Sequence, residues 1–284
     1  MATEVEKVRI PVPGAEALAA VVTAPDGEPG AVVVLWPALG VPAGYYAPFC
    51  GELAARGVAA VAVDLRGQGE SGPRSGRGST HGYHALAARD VPAVTAAVRE
   101  RFGAGTPLVL LGHSIGGQAA VLAAAREPKA VDGLVLVASG SVDFRGFPGA
   151  ARWRVLASSQ LLALVATVWG YWPGHRLGFG GRQPARLMRD WARLGRTGRF
   201  APAGADLDYE QALAALELPV LAVSLPGDRL APPGAVDRLV AKLPAAAVER
   251  RHHTPADGES ADHVRWARAG GGIADLVAGW LPGR

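Results

Sequence analysis

The chain has 284 residues, of which 49% are hydrophobic and 19% charged, and its formal net charge is +4. That length and apolar share supply the core of one large α/β domain, or of one domain with a sizeable insertion, and argue against a mainly disordered chain. Basic residues are interspersed with acids except at 182–199, with no lysine-rich tail and no aromatic-interleaved basic stripe, so nucleic acid is not an expected partner.

Residues 1–6 show no basic region followed by an apolar run, so no signal peptide is expected. The longest apolar stretch, 161–169, falls well short of the roughly 20 residues that span a bilayer, and no membrane span is expected. The single cysteine, Cys50, excludes an intramolecular disulfide and suits a reducing cytoplasm. It follows Phe49 in a helix-like segment, where a buried thiol is the expectation.

Residues 5–12 and 17–23 pattern as an opening pair of strands around Pro13-Gly14, and 31–36 is a continuous apolar run suited to a buried parallel strand. A helix is predicted over 45–56, ending at Gly57, then a strand over 58–63, a helix over 84–102 and a strand over 107–111. Next comes Gly112-His113-Ser114-Ile115-Gly116, followed by a helix through Arg126 and a strand over 131–138. From 142 to about 216 no strand pattern is evident, only helical apolar stretches rich in tryptophan. Alternation resumes with a strand at 219–225, a helix at 235–243, a strand at 246–252 and a closing helix at 264–281. Repeated strand-helix alternation predicts an α/β fold: a mostly parallel sheet of about eight strands covered by helices on both faces. The expected organisation is a core in two parts, 1–141 and 217–284, with a helical lid at 142–216 inserted after the sixth strand.

Ser114 carries the chemistry in this reading. A serine between paired glycines, after a buried strand and before a helix, has the form of a nucleophile elbow, which exposes the hydroxyl at the strand's carboxyl end above a helix amino terminus. Side chains at Gly112 or Gly116 would collide with neighbouring backbone. The alternative is a simple strand-to-helix turn with Ser114 facing solvent. His113 is expected to pack rather than act as base, because adjacent positions in an elbow point apart. His81, His84 and His175 show no metal-ligand spacing with acids or cysteine, so neither metal nor cofactor is expected.

Three further motifs accompany the elbow: Asp64-Leu65-Arg66-Gly67-Gln68-Gly69-Glu70-Ser71, Gly227-Asp228-Arg229-Leu230-Ala231-Pro232, and Ala261-Asp262-His263 before the closing helix. With them the sequence resembles the α/β-hydrolase fold superfamily over nearly its whole length. Pro37-Ala38-Leu39-Gly40-Val41 with Tyr45-Tyr46, together with Gly116-Gly117-Gln118, is similar to a bacterial group of serine hydrolases.

The resemblance implies the chain order nucleophile, acid, histidine, which Ser114, Asp228 and His263 satisfy. Asp132, Asp143, Asp206, Asp208 and Asp257 compete for the acid, and His252 and His253 for the base. Asp262 stands where relatives often have glycine. An oxyanion needs two N–H donors, expected from Ile115 and from Ala38, with Leu39 as second choice, since Pro37 has no N–H. Asp64 and Arg66 read as structural, with Gly67 and Gly69 serving a tight turn. Lid aromatics, among them Trp153, Trp169, Trp172 and Trp191, are candidates for substrate contact, though a small lid core would look the same. Exposed aromatics there would also suit a homodimer.

The implied activity is hydrolysis of a carboxylic ester or thioester of an apolar small molecule through an acyl-serine intermediate. Acyl transfer through the same intermediate, carbon-carbon bond hydrolysis and a hydrolase-fold small-molecule binding protein are the alternatives. Epoxide and haloalkane hydrolases resemble this fold but need an aspartate at position 114.

Overall fold

The computed structural model describes residues 4–255 and 262–281. The opening hairpin, β1 (Glu4–Val12) and β2 (Ala15–Ala24), is antiparallel, and β2 pairs antiparallel with β4 (Val58–Val63). All other pairs of the eight-stranded sheet are parallel, in the order β1-β2-β4-β3-β5-β6-β9-β10. The remaining members are β3 (Ala31–Trp36), β5 (Leu108–His113), β6 (Gly133–Val137), β9 (Pro219–Ser224) and β10 (Ala247–His252).

Every residue of β3, β4, β5 and β6 is buried. This is why their sequences run continuously apolar: helices cover both faces, so neither side needs polar residues. On one face pack α3 (Val91–Phe102), preceded by the short helix α2 (Tyr83–Ala85) and a π turn at Leu86–Asp90, and α4 (Ile115–Arg126). On the other lies α1 (Ala47–Ala55), which buries Cys50 and pushes its thiol pKa up to about 12. The edge strand β10 carries Glu249, Arg250 and Arg251, a charged rim that discourages pairing with further strands.

Between β6 and β9 the chain leaves the sheet. It forms the long helix α5 (Ala151–Trp169), a hairpin of two three-residue strands, β7 (Tyr171–Pro173) and β8 (Arg182–Pro184), with α6 (Gly174–Leu177) between them, then α7 (Ala185–Thr197) and α8 (Tyr209–Ala214). The hairpin corrects the purely helical expectation. Strands this short, each ending in proline, show no alternation that a sequence pattern detects. The closing segment also differs: a 3-10 turn at Arg265–Arg268 precedes α10 (Gly271–Trp280), which follows α9 (Pro233–Val240) and β10. Among the described residues no helix is long and apolar enough to cross a membrane.

Sheet order places the site. β3 has β4 on one side and β5 on the other, so the winding direction reverses between β3 and β5, and a crevice opens outside their carboxyl ends. Residues 37–41 leave β3 there, and Ser114 leaves β5. The loop after β4 is fastened beside them. Its Asp64 carboxylate accepts from the Ala43 and Glu70 N–H groups at 2.6 and 2.7 Å. Arg66 forks onto Asp90, whose side chain is fully buried.

Arg66→Met leaves the buried Asp90 carboxylate without its counter-charge. The expected loss is about 3–5 kcal/mol, read as a lower urea midpoint with unchanged slope.

Candidate active site

Ser114 adopts φ 55° and ψ −120°, one of two non-glycine residues with positive φ among those described. Such a backbone costs on the order of 1–3 kcal/mol and persists only where its surroundings leave no alternative. Backbone crowds the turn before and after the serine. A methyl group at Gly112 would run into the Gly117 backbone, and one at Gly116 into the Trp36 carbonyl. The Ser139 hydroxyl lies 3.1 Å from the Gly112 carbonyl oxygen and 2.8 Å from that of Ser114, pinning the turn from the β6 side.

The structure brings Asp228 and His263 into contact. The Asp228 side chain is buried, and its Oδ1 accepts from the Leu230 and Ala231 N–H groups at 2.8 and 2.9 Å. Its Oδ2 takes the His263 Nδ1–H at 2.8 Å. That bond fixes the tautomer and leaves Nε2 as the nitrogen available to a partner. Ser114 and His263 line one cavity of about 660 Å³, together with Ala38, Leu39 and Ile115.

The competing acids are engaged elsewhere. Asp132 pairs with Arg99 at 2.7 Å, Asp143 with Arg145 at 3.0 Å, and Asp206 with Arg126. Asp208 caps α8, and Asp257 lies outside the described residues. His252 approaches the Ser224 hydroxyl at 2.8 Å, and the His253 N–H donates to the Ser224 carbonyl at 2.9 Å.

The amides after β3 divide sharply. Pro37 has no N–H. The Ala38 N–H donates to the Tyr46 hydroxyl at 3.0 Å, the Gly40 N–H to Gln68 Oε1 at 2.6 Å, and the Val41 N–H to the Ala38 carbonyl at 3.1 Å. Among the described residues the Leu39 N–H has no such acceptor. Of the two expected candidates after β3, the first choice, Ala38, thus has its N–H bonded to Tyr46, and the second, Leu39, does not. The Ile115 N–H, first in α4, belongs to the helix-terminal donors that lack an intrahelical acceptor.

Tyr46 does more than accept from Ala38. Burial pushes its phenol pKa well up, so the proton stays, and the hydroxyl also hydrogen-bonds His113 Nδ1 at 2.7 Å. His113 is completely buried, and burial, then the neighbouring His263, hold its pKa far below the ordinary value. It is therefore a neutral imidazole, its ring centroid 5.0 Å from that of His263 and 5.3 Å from that of Trp266. The packing role expected of His113 is visible, but its link to the Ala38 amide is not readable from its place beside Ser114.

Of the candidate tryptophans, Trp172 and Trp191 line the cavity; Trp153 and Trp169 do not. The face of α5 turned to the cavity carries Val155, Ser158 and Leu162, which leaves Trp153 and Trp169 pointing outward, 56% and 48% exposed. Most of the remaining wall is apolar, with Val142, Phe147 and Phe179. Gln118 reaches the wall too, but its side chain accepts from the Tyr83 hydroxyl and donates to the Gly140 carbonyl at 2.7 Å.

Tyr46→Phe strands two buried groups, the Ala38 N–H and His113 Nδ1. The expected cost is about 1–3 kcal/mol for each, seen as a lowered thermal midpoint.

Residues 27–189 match the family model described as serine aminopeptidase, S33 (Hydrolase_4). No curated protein matches the chain. Solved structures share the fold. The dienelactone hydrolase of Anabaena variabilis is 16% identical with a TM-score of 0.56, over 98% of this chain and 96% of that one. An esterase domain from Rhodothermus marinus is 16% identical with a TM-score of 0.62, over 98% and 97%. The thioesterase domain of the curacin biosynthetic pathway is 18% identical with a TM-score of 0.60, over 97% and 99%. At these identities the likeness is one of fold. The family match spans more than half of the sequence and includes the elbow, and the chain belongs to Hydrolase_4, a family of α/β-hydrolase-fold serine hydrolases.

Proposed function

We propose that this protein hydrolyses an ester or thioester of an apolar carboxylic acid through an acyl-Ser114 intermediate. The carrying observation is that Ser114, on its strained elbow, shares one cavity with His263, whose Nδ1 is fixed 2.8 Å from the buried Asp228. A serine hydroxyl needs a base to become a nucleophile, and the base needs an acid to hold its tautomer.

In this scheme His263 Nε2 takes the Ser114 proton as Oγ bonds to the substrate carbonyl carbon. The carbonyl electron pair moves onto its oxygen, which the Leu39 and Ile115 N–H groups receive. The carbonyl re-forms, the bond to the alcohol or thiol leaving group breaks, and His263 returns the proton to that group. Water then repeats the sequence on the acyl-serine. Asp228 keeps Nε2 directed and stabilises the imidazolium, and the α4 amino terminus favours the developing negative charge.

Residues 142–216 serve as the lid in this reading, lying against the core as the wall that selects the acyl group. Among the described residues lining the cavity there is no carboxylate to bind a free α-amino group, and Arg229 supplies the one guanidinium. That favours an apolar acyl ester over the aminopeptidase substrate named in the family description. Acyl transfer to an alcohol, amine or thiol would use the same intermediate and is distinguished by product analysis with an added acceptor.

A fluorophosphonate probe is expected to label Ser114, mapped by peptide mass spectrometry, and Ser114→Ala to abolish both labelling and ester turnover. Asp228→Asn is expected to lower kcat by about 10⁴-fold through the wrong tautomer. Short and medium acyl p-nitrophenyl esters should be cleaved in preference to aminoacyl p-nitroanilides. Labelling of another residue, or turnover retained without Ser114, contradicts the scheme.

A further inference from the structure

The hairpin of β7 and β8 touches more than the cavity. Its connecting turn packs backbone against backbone on the oxyanion loop: Gly40 has φ +77°, and a side chain there would come within 2.5 Å of the Gly180 carbonyl carbon and 2.7 Å of the Gly181 nitrogen. A side chain at Gly180 would in turn meet Leu39 Cδ2 at 2.8 Å. Across this contact runs a line of amides. The Gly40 N–H donates to Gln68 Oε1 at 2.6 Å, Gln68 Nε2 donates to Gln183 Oε1 at 3.3 Å, and Gln183 Nε2 donates to the Gly180 carbonyl.

Each orientation in the line follows from the one before. Gly40 supplies only a donor, so Gln68 presents its oxygen to it and its NH2 to Gln183. Gln183 must therefore offer oxygen to Gln68 and NH2 to the carbonyl of Gly180. Gln68 is 9% exposed and Gln183 fully buried, so neither amide has water as a substitute partner. Losing one member leaves the others unsatisfied in a dry setting, where that is costly.

We propose that Gln68 and Gln183 are positioning residues that lock the β7–β8 hairpin to the oxyanion loop, so that the element forming the acyl-binding wall also sets the direction of the Leu39 N–H. The inference rests on the proposed hydrolase reading for its catalytic consequence and on the structure alone for the physical link. Gln68 comes from the loop after β4 and touches neither substrate nor Ser114. Its effect passes through Gly40, the residue next to the free amide, and the Tyr46 bond to Ala38 fixes the other side.

The test uses Gln183→Glu, which keeps shape but sets a carboxylate against the Gly180 carbonyl, and Gln68→Met, which breaks the line from the core side. Amide hydrogen exchange, followed by mass spectrometry on the folded proteins, is expected to speed up about ten-fold or more in peptides spanning 37–46 in both variants. Ester kcat should fall about ten-fold or more with KM changed less than two-fold, since a misplacement near 1 Å is costly to catalysis. Affinity for a trifluoromethyl ketone, which needs the oxyanion donors, should fall in parallel with kcat/KM. The double variant should be no worse than the poorer single one.

Unchanged exchange in 37–46 in either folded variant overturns the link. A rise in KM alone, with kcat and ketone affinity intact, overturns the positioning role. If the wild-type protein neither turns over esters nor reacts with a fluorophosphonate, the hydrolase reading fails by itself, and the exchange measurement still decides whether the hairpin and loop are coupled.

Discussion

At Ser114 three stretches of backbone converge with no room for a side chain between them. The end of β5 at Gly112, the first turn of α4 at Gly116 and Gly117, and the exit of β3 at Trp36 and Pro37 all lie within van der Waals distance of one another. That closeness holds a serine at φ 55°, a conformation it would otherwise leave. Substituting Gly116 would push α4 away from β3, and substituting Gly112 would push it away from β5. The helix amino terminus would no longer underlie Ser114, and the loop after β3 would no longer lie beside the Ile115 amide.

From that junction the rest of the site follows as an accounting of hydrogen-bond donors. Buried backbone amides are nearly always paired, so one without an acceptor in the cavity that Ser114 lines is informative. Tyr46 takes the amide before Leu39 and Gln68 the amide after it, which leaves the Leu39 N–H, between two held neighbours, without an acceptor among the described residues. In the proposed mechanism such a donor needs little reorganisation when charge appears on the substrate oxygen, the condition for strong electrostatic stabilisation. Tyr46 keeps its proton and hydrogen-bonds His113, whose burial disfavours the charged form, so a neutral ring, rather than a second cation, lies against His263.

What could be read from the sequence was what depends on local pattern. Continuous apolar runs gave β3 to β6, and glycine spacing gave the elbow, because burial on both faces and backbone crowding each impose a residue type at a definite place. The meeting of Asp228 and His263 came from loop resemblance; composition alone does not separate Asp228 from Asp143, which is also buried but pairs with Arg145 and Arg238. Other features depend on how distant parts pack. That the Ala38 N–H is already bonded while that of Leu39 is not depends on Tyr46 folding back onto the loop. Separating Trp172 and Trp191 from Trp153 and Trp169 requires the rotation of α5 about its axis. The Gln68–Gln183 contact joins residues 115 positions apart, which no spacing rule reaches.

The most direct test is a crystal structure of the protein bearing a tetrahedral adduct, formed with a boronic acid or a trifluoromethyl ketone. The expected adduct is bonded to Ser114 Oγ, with its oxyanion-mimicking oxygen about 2.7–3.1 Å from both the Leu39 and Ile115 nitrogens and the Ala38 N–H still on the Tyr46 hydroxyl. An oxygen bound by the Ala38 nitrogen with Tyr46 displaced, or an adduct on any other residue, would contradict the assignment.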